Sequence, residues 1–291
     1  MDDTVFDKYI EAGKIAKEVL SESSARVKPG VLISDIFDFV LDQIEAKSAK
    51  LSFPPNISLN NVAAHDTASP IDDRVFKEGD VVKLDIGTHI DGYIADTSVT
   101  VDLGDHNKLC EAAKTALDEA IKVVKPGTPI GHIGYIIEST IESYGYQPIR
   151  NLTGHSISRY ILHDGLSIPN IGIQSSKTLE VDQVIAIEPF ATTGSGIVHE
   201  TNRYEIYQVL GNNRTRTPLA RKILAKASEM KGLPFSRRWL KIPQTELIMP
   251  TLIHQGNLYA YPCLEVIPGS IVSQFEHTMI VTENGATVTT Q

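Results

Sequence analysis

Cysteine is nearly missing: only Cys110 and Cys263 occur in 291 residues. Two thiols build no disulfide framework, and the pattern suits a reducing compartment. No apolar run approaches the roughly 18–20 residues that a bilayer crossing needs. The first twenty residues, MDDTVFDKYIEAGKIAKEVL, carry too much charge for a secretory leader. Positive charge is in deficit. Lys and Arg number 27 against 36 Asp and Glu, a formal net charge of −9, which excludes a general polyanion binder. What remains, 42% hydrophobic and 22% charged, is ordinary globular composition. The length suffices for one large domain or two modest ones. The expectation is a soluble, cytoplasmic protein with no membrane partner.

Apolar residues at Val5, Tyr9, Ala12, Ala16 and Val19 alternate spacings of four and three, which predicts an amphipathic opening helix. VKPG at 27–30 ends it, since Gly30 accepts a positive φ and Pro29 discourages continuation. A second helix is predicted over 31–47, then a turn-rich stretch, LSFPPNISLNNVAAHD. Strands are predicted at 80–86 and 93–102, and helices over 107–124, ended by a second KPG, and 130–144. Later strands fall at 183–189, 205–210, 271–282 and 286–290. The helix–KPG–helix–strand pattern occurs twice, a hint of internal duplication. Strands and helices that do not alternate strictly argue for an α+β fold. Residues 214–241 hold nine Arg or Lys and one acid, and read as helical. They are taken as part of an inserted helical subdomain over about 212–262, interrupting a catalytic domain that spans 1–291. A basic strip is ordinarily a solvated face; contact with RNA such as the ribosome is the sharper reading.

The stretch VVKLDIGTHIDGYIADTSVT places Asp85 and Asp96 among residues that otherwise read as core strand. Buried carboxylates are rare unless paired or bound to metal. A hairpin turn centred on Ile90-Asp91 would set the two aspartates directly opposite. A turn on Asp91-Gly92, the better turn dipeptide, would make them diagonal neighbours. Both registers keep them on one face, about 5 Å or about 7–8 Å apart. Two like charges so placed need a cation or a shared proton. Further candidates lie beside apolar strands: His155 in NLTGHSI, Glu188 in VIAIEPF and Glu276 in SQFEHTMIV. Four carboxylates and one imidazole suit manganese, iron(II) or cobalt, and exclude a cysteine-rich zinc site. Four negative charges balance two divalent ions, which can share a hydroxide.

KLDIGTHIDGYIADTSVTV, NLTGHSISRYILHDGLSIPN, VIAIEPFAT and QFEHTMIVTENG together resemble the type II methionine aminopeptidases, in particular their short archaeal form. The likeness spans nearly the whole chain and keeps all five ligand positions. It implies the pita-bread fold, two pseudo-symmetric halves around a dinuclear site, and removal of the initiator methionine from nascent proteins. It implies two divalent ions per chain, cobalt, manganese, iron(II) or zinc. By resemblance Asp85 binds one ion, Asp96 and Glu276 bridge both, and His155 and Glu188 complete the other shell. Glu188 then also moves the proton of the attacking water. His65 matches the histidine beside the scissile amide, which fumagillin-type epoxides alkylate. His163 matches one that hydrogen-bonds the substrate. Phe53, Leu162, Phe190, His199 and Tyr261 are implied to line the methionine pocket. The family leans monomeric. Two alternatives stay open: another pita-bread hydrolase such as a prolidase or aminopeptidase P, and a non-catalytic pita-bread binder. Chain length, FPPNISLNN and the basic insertion favour the methionine enzymes over the first. The complete ligand set disfavours the second.

Overall fold

The computed structural model describes residues 1–211, 215 and 217–291. Positions 212–214 and 216, where the expected insertion and its basic strip begin, lie outside the described residues. The opening helix α1 runs Asp3–Ser24, and the Asp2 side chain caps it by accepting from the Val5 N–H. Helix α2 covers Ile33–Ala46 and buries Ile36, Phe37, Val40 and Ile44. The linker's Gly30 has φ +86, as the KPG reading requires. Helices α3 (Asn107–Lys122) and α4 (Ile130–Ser143) repeat the arrangement, with Gly127 at φ +83 in the second KPG. No helix is long and apolar enough to cross a membrane among the described residues.

A nine-stranded sheet organises the chain. Along its path lie Lys50–Leu51, Val81–Ile90, Tyr93–Asp102, Glu276–Thr282, Val184–Ile187, Thr153–Ile157 and Ser167–Pro169. Asn56–Leu59 adds to Val81–Ile90, and Gly285–Val288 to Glu276–Thr282. Each helix pair covers its own half. Ile15 and Val19 of α1 and Phe37 and Val40 of α2 pack on Val82, Leu84 and Ile86. Ala113 and Leu117 of α3 and Ile133 and Ile137 of α4 pack on Ile185, Ile187, Met279 and Val281. Strand alternation therefore commits one set of side chains to the helices and leaves Asp85, Asp96 and Glu276 on the other face.

The turn-rich stretch contains two strands, Asn56–Leu59 and Val62–Ala64, joined through Asn60 at φ +53. The single strand expected over 271–282 is broken at Phe275 into Val272–Gln274 and Glu276–Thr282, which join different sheets. Residues 206–261 build a local unit. Strands Ile206–Val209, Phe235–Ser236 and Leu258–Tyr261 pair there, beneath α5 (Pro218–Ser228), α6 (Arg237–Leu240) and α7 (Thr245–His254). Tyr207, Ile223, Phe235 and Leu252 form its core. The basic strip is not continuously helical. Lys231 and Gly232 both take positive φ, and the chain turns there into a short strand before α6. Arg238 of α6 donates from Nε to Asp38 Oδ1 at 2.9 Å, and Trp239 packs on Phe37. These contacts fasten the unit to α2.

Candidate metal centre

Five adjacent strands of the large sheet each bring one side chain to a single point. In sheet order these are Asp85, Asp96, Glu276, Glu188 (one residue past its strand) and His155. All five line one cavity of about 80 Å³. The long hairpin turns on Asp91 and Gly92, with φ of +52 and +92. Its register therefore pairs Asp85 with Ser98 and Gly87 with Asp96, so the two aspartates are diagonal. Glycine is required at 87: a Cβ there would lie 2.1 Å from Ser52 Oγ and 2.2 Å from the Phe53 ring. The bare backbone lets Phe53 close over the strand beside the carboxylates. Glycine is required again at 154, where a Cβ would meet Ala186 O at 2.3 Å. That close approach seats His155 against the strand Val184–Ile187, which leads into Glu188.

Ligand atoms of Asp96, His155 and Glu276 lie within 4.8 Å of one another. His155 Nε2 stands 3.6 Å from Asp96 Oδ2 and 3.9 Å from Glu188 Oε1. Burial drives the electrostatics. Desolvation, then mutual repulsion, holds Asp85, Glu188 and Glu276 well above the usual carboxylate range. Desolvation lifts Asp96 to about 7. The same burial pushes His155 down to about 4, so its imidazole is neutral near pH 7. Among the described residues no Lys or Arg pairs with any of the four carboxylates. Asp85 Oδ1, Asp96 Oδ1 and Glu276 Oε2 are buried without a hydrogen-bond donor. Acceptor atoms so placed are costly unless a cation satisfies them. Four oxygen donors and one neutral imidazole fit hard to borderline divalent ions.

The histidines beyond the carboxylates are also here. His163 meets the His155 ring edge-on, centroids 4.4 Å apart, and burial takes it to about 3. His65 has an unusual backbone, φ +65. Its Nδ1 lies 3.0 Å from Pro262 O, its ring packs edge-on to Tyr261, and burial lowers it to about 4. Phe53, Leu162 and Tyr261 line the cavity as expected, but two other expected wall residues do not. Phe190 is buried in a neighbouring cluster with Ala63, Ile149 and Val272. His199 is exposed on a short edge strand opposite Glu265, because Val198 takes the inward position. Ile206 and Pro234 of the local unit line the cavity instead, with Asn56 and Ala64. Gln274 also escaped the sequence reading, although it lies two residues before Glu276; its Nε2 donates to Glu188 Oε2 at 3.3 Å. A larger groove of about 1350 Å³ lies between α2 and residues 226–246 and contains none of the five clustered side chains.

Comparison with known proteins agrees with this geometry. Residues 7–283 match the model of metallopeptidase family M24. The chain is 49% identical over 292 aligned residues to a methionine aminopeptidase of Archaeoglobus fulgidus, covering 100% of each. It is 48% identical to that of Pyrococcus horikoshii, over 98% of this chain and 99% of the relative. The crystal structure of a methionine aminopeptidase from Thermotoga maritima superposes with a TM-score of 0.75 at 25% identity, covering 100% and 98% of the two chains. A pita-bread α+β fold, a buried cluster built for divalent metal and full-length relatives of one kind together place the chain in metallopeptidase family M24, among its methionine aminopeptidases.

Proposed function

We propose that this metallo-aminopeptidase acts on nascent proteins in the cytoplasm, as a monomer, with two divalent ions held by Asp85, Asp96, His155, Glu188 and Glu276. The convergence of those five side chains from five neighbouring strands carries the reading. By the resemblance, Asp96 and Glu276 would be the carboxylates shared between the ions, and they lie on neighbouring strands with ligand atoms within 4.8 Å of each other and of His155. When bound, the ions supply Lewis acidity, which polarises a carbonyl and acidifies water.

The protein's own groups do the rest. Glu188 sits at the cavity with one oxygen anchored by Gln274; burial beside the other carboxylates raises its proton affinity, and with cations bound that proton is drawn off and a strong base remains. It is the group to take a proton from water and return it to the leaving amine. Pro262 O can only accept, so His65 Nδ1 must carry the ring proton. Nε2 is then the free acceptor, suited to orient the scissile amide and open to alkylation by an epoxide. His163 is neutral and can donate one hydrogen bond to the substrate. Phe53, Leu162, Ile206, Pro234 and Tyr261 offer the apolar wall a thioether side chain needs.

The stretch over 212–262 is read as the insertion of the type II enzymes, and it supplies Pro234 and Tyr261 to the wall. Among the described residues, ribosome contact through 214–241 would fall first to Arg221, Lys222 and Lys241, which are exposed. Arg237, Arg238 and Lys226 are engaged with Glu205, Asp38 and Glu229.

The test is a paired assay on metal-stripped protein, with Mn(II), Co(II) or Fe(II) added in turn. Metal-dependent release of methionine from Met-Ala-Ser, with Ala-Pro-Ala untouched, is expected. Cleavage only before proline would move the chain to an aminopeptidase P activity. No cleavage of either peptide would leave a binding protein.

A further inference from the structure

We infer that Asn56 is a positioning residue for His65: its side-chain amide holds the His65 backbone in the left-handed conformation that presents the imidazole to the cavity. The inference rests on the substrate-orienting role proposed above for His65.

A φ of +65 is one that few residues other than glycine adopt, and it persists only where the surroundings enforce it. Asn56 supplies that enforcement. Its Oδ1 accepts the His65 N–H at 2.8 Å, and its Nδ2 donates to Pro54 O at 3.0 Å. One partner can only donate and the other only accept, so the orientation of the amide is fixed. Asn56 is 5% exposed, and its strand pairs it directly opposite Asp85. A single pleat thus carries a carboxylate of the metal cluster and, one strand over, grips the backbone of the histidine. The next residue is fixed as well, because Ile57 N–H donates to Asp66 O at 2.7 Å. On the far side Cys263 Sγ donates to His65 O at 3.4 Å, and Pro262 O holds the ring. Removing the Asn56 amide leaves the His65 N–H without its acceptor. The remaining contacts, at Asp66 O, His65 O and the ring, do not touch that N–H, so the left-handed conformation is weakened, and a return to negative φ would swing the imidazole away from the substrate.

The experiment is a double-mutant cycle on Mn(II)-loaded protein with Asn56→Ala and His65→Ala. Its readouts are kcat/KM for Met-Ala-Ser, the rate at which an epoxide alkylates His65, and the Mn(II) dissociation constant. Asn56→Ala is expected to lower kcat/KM by about tenfold, the scale of a lost buried hydrogen bond, and to slow alkylation comparably. In the His65→Ala background the same change is expected to shift kcat/KM by less than about twofold, because its effect passes through the missing ring. Mn(II) affinity is expected to hold within about twofold in Asn56→Ala. Additive losses, an unchanged alkylation rate, or a fall in Mn(II) affinity large enough to explain the lost activity would each overturn the positioning role. Asn56→Ser enters the same cycle if Asn56→Ala does not fold. Full activity in His65→Ala alone would instead remove the role of His65, a separate failure.

Discussion

Lowering the pH from 8 to 6 should weaken divalent-ion binding, and the structure sets the scale. The ion binds ionised carboxylates, so it competes with protons wherever the ion-free site holds them. Asp96, lifted to about 7 by burial, is roughly 90% ionised at pH 8 and roughly 10% at pH 6. That residue alone should raise the apparent Kd for Mn(II) about tenfold over this range, or about 1.4 kcal/mol. Asp85, Glu188 and Glu276 are also raised, which adds to the effect in the same direction. His155, at about 4, stays neutral across the window and contributes nothing. The sign follows: binding releases protons, and affinity falls as pH falls. Calorimetric titration in two buffers of different ionisation enthalpy measures both quantities. Thermal unfolding gives an independent check, because a ligand at 100 times its Kd stabilises by about 2.7 kcal/mol. At about 2–4 °C per kcal/mol, saturating Mn(II) should raise Tm by roughly 5–10 °C at pH 8, and by less at pH 6. A Kd that does not change with pH, with no proton release, would refute the claim that these carboxylates are protonated when the ion is absent.

Glu188→Gln should retain the fold, with Tm within a few degrees, yet lose about 10²-fold or more in kcat, since a proton carrier is gone; steady-state kinetics at saturating Mn(II) checks it. Gly154→Ala drives a Cβ to 2.3 Å from Ala186 O. Denaturant unfolding should show about 1–3 kcal/mol of destabilisation, and titration should show weakened Mn(II) binding as His155 shifts with its strand. Arg221→Glu combined with Lys222→Glu should leave peptide hydrolysis unchanged while reducing cosedimentation with ribosomes; undiminished cosedimentation would leave the basic strip as a solvated face.

The residues of the metal cluster were legible in sequence because each violates its local environment. A carboxylate among valines and isoleucines is a conspicuous anomaly, and strand alternation tells which face it takes. The register of the aspartate pair was legible as a preference: two turns satisfied the alternation, the sequence favoured Asp91-Gly92, and both residues do enter positive φ and make the pair diagonal. The pocket walls were harder still. Phe190 and His199 lie near the cluster in sequence, but which way a short strand presents its side chains depends on partners far away in the chain. Val198 competes for the inward position beside His199, and Ile149 and Val272 enclose Phe190. Ile206 and Pro234 reach the cavity only through the packing of the local unit, which no period in the sequence announces. Asn56 looked like a turn residue, and only its pairing with His65 shows otherwise.

The diagonal register has a consequence for how this chain can change length. Asp85 and Asp96 share a face because the hairpin between them closes with a two-residue turn. Inserting or deleting one residue within either strand, between Asp85 and the turn or between the turn and Asp96, would either flip one aspartate to the helix side or force a bulge to absorb the change. Two residues added within one strand would restore the face but offset the two carboxylates along the strands by about 7 Å. The tip is held by its own contacts, since Gly92 O accepts from Tyr160 N–H, Asp91 O accepts from Arg159 Nε and Lys8 pairs with Asp91, so a graft there would disturb those first. The strand segments between the turn and each aspartate act as a ruler for the distance between two carboxylates.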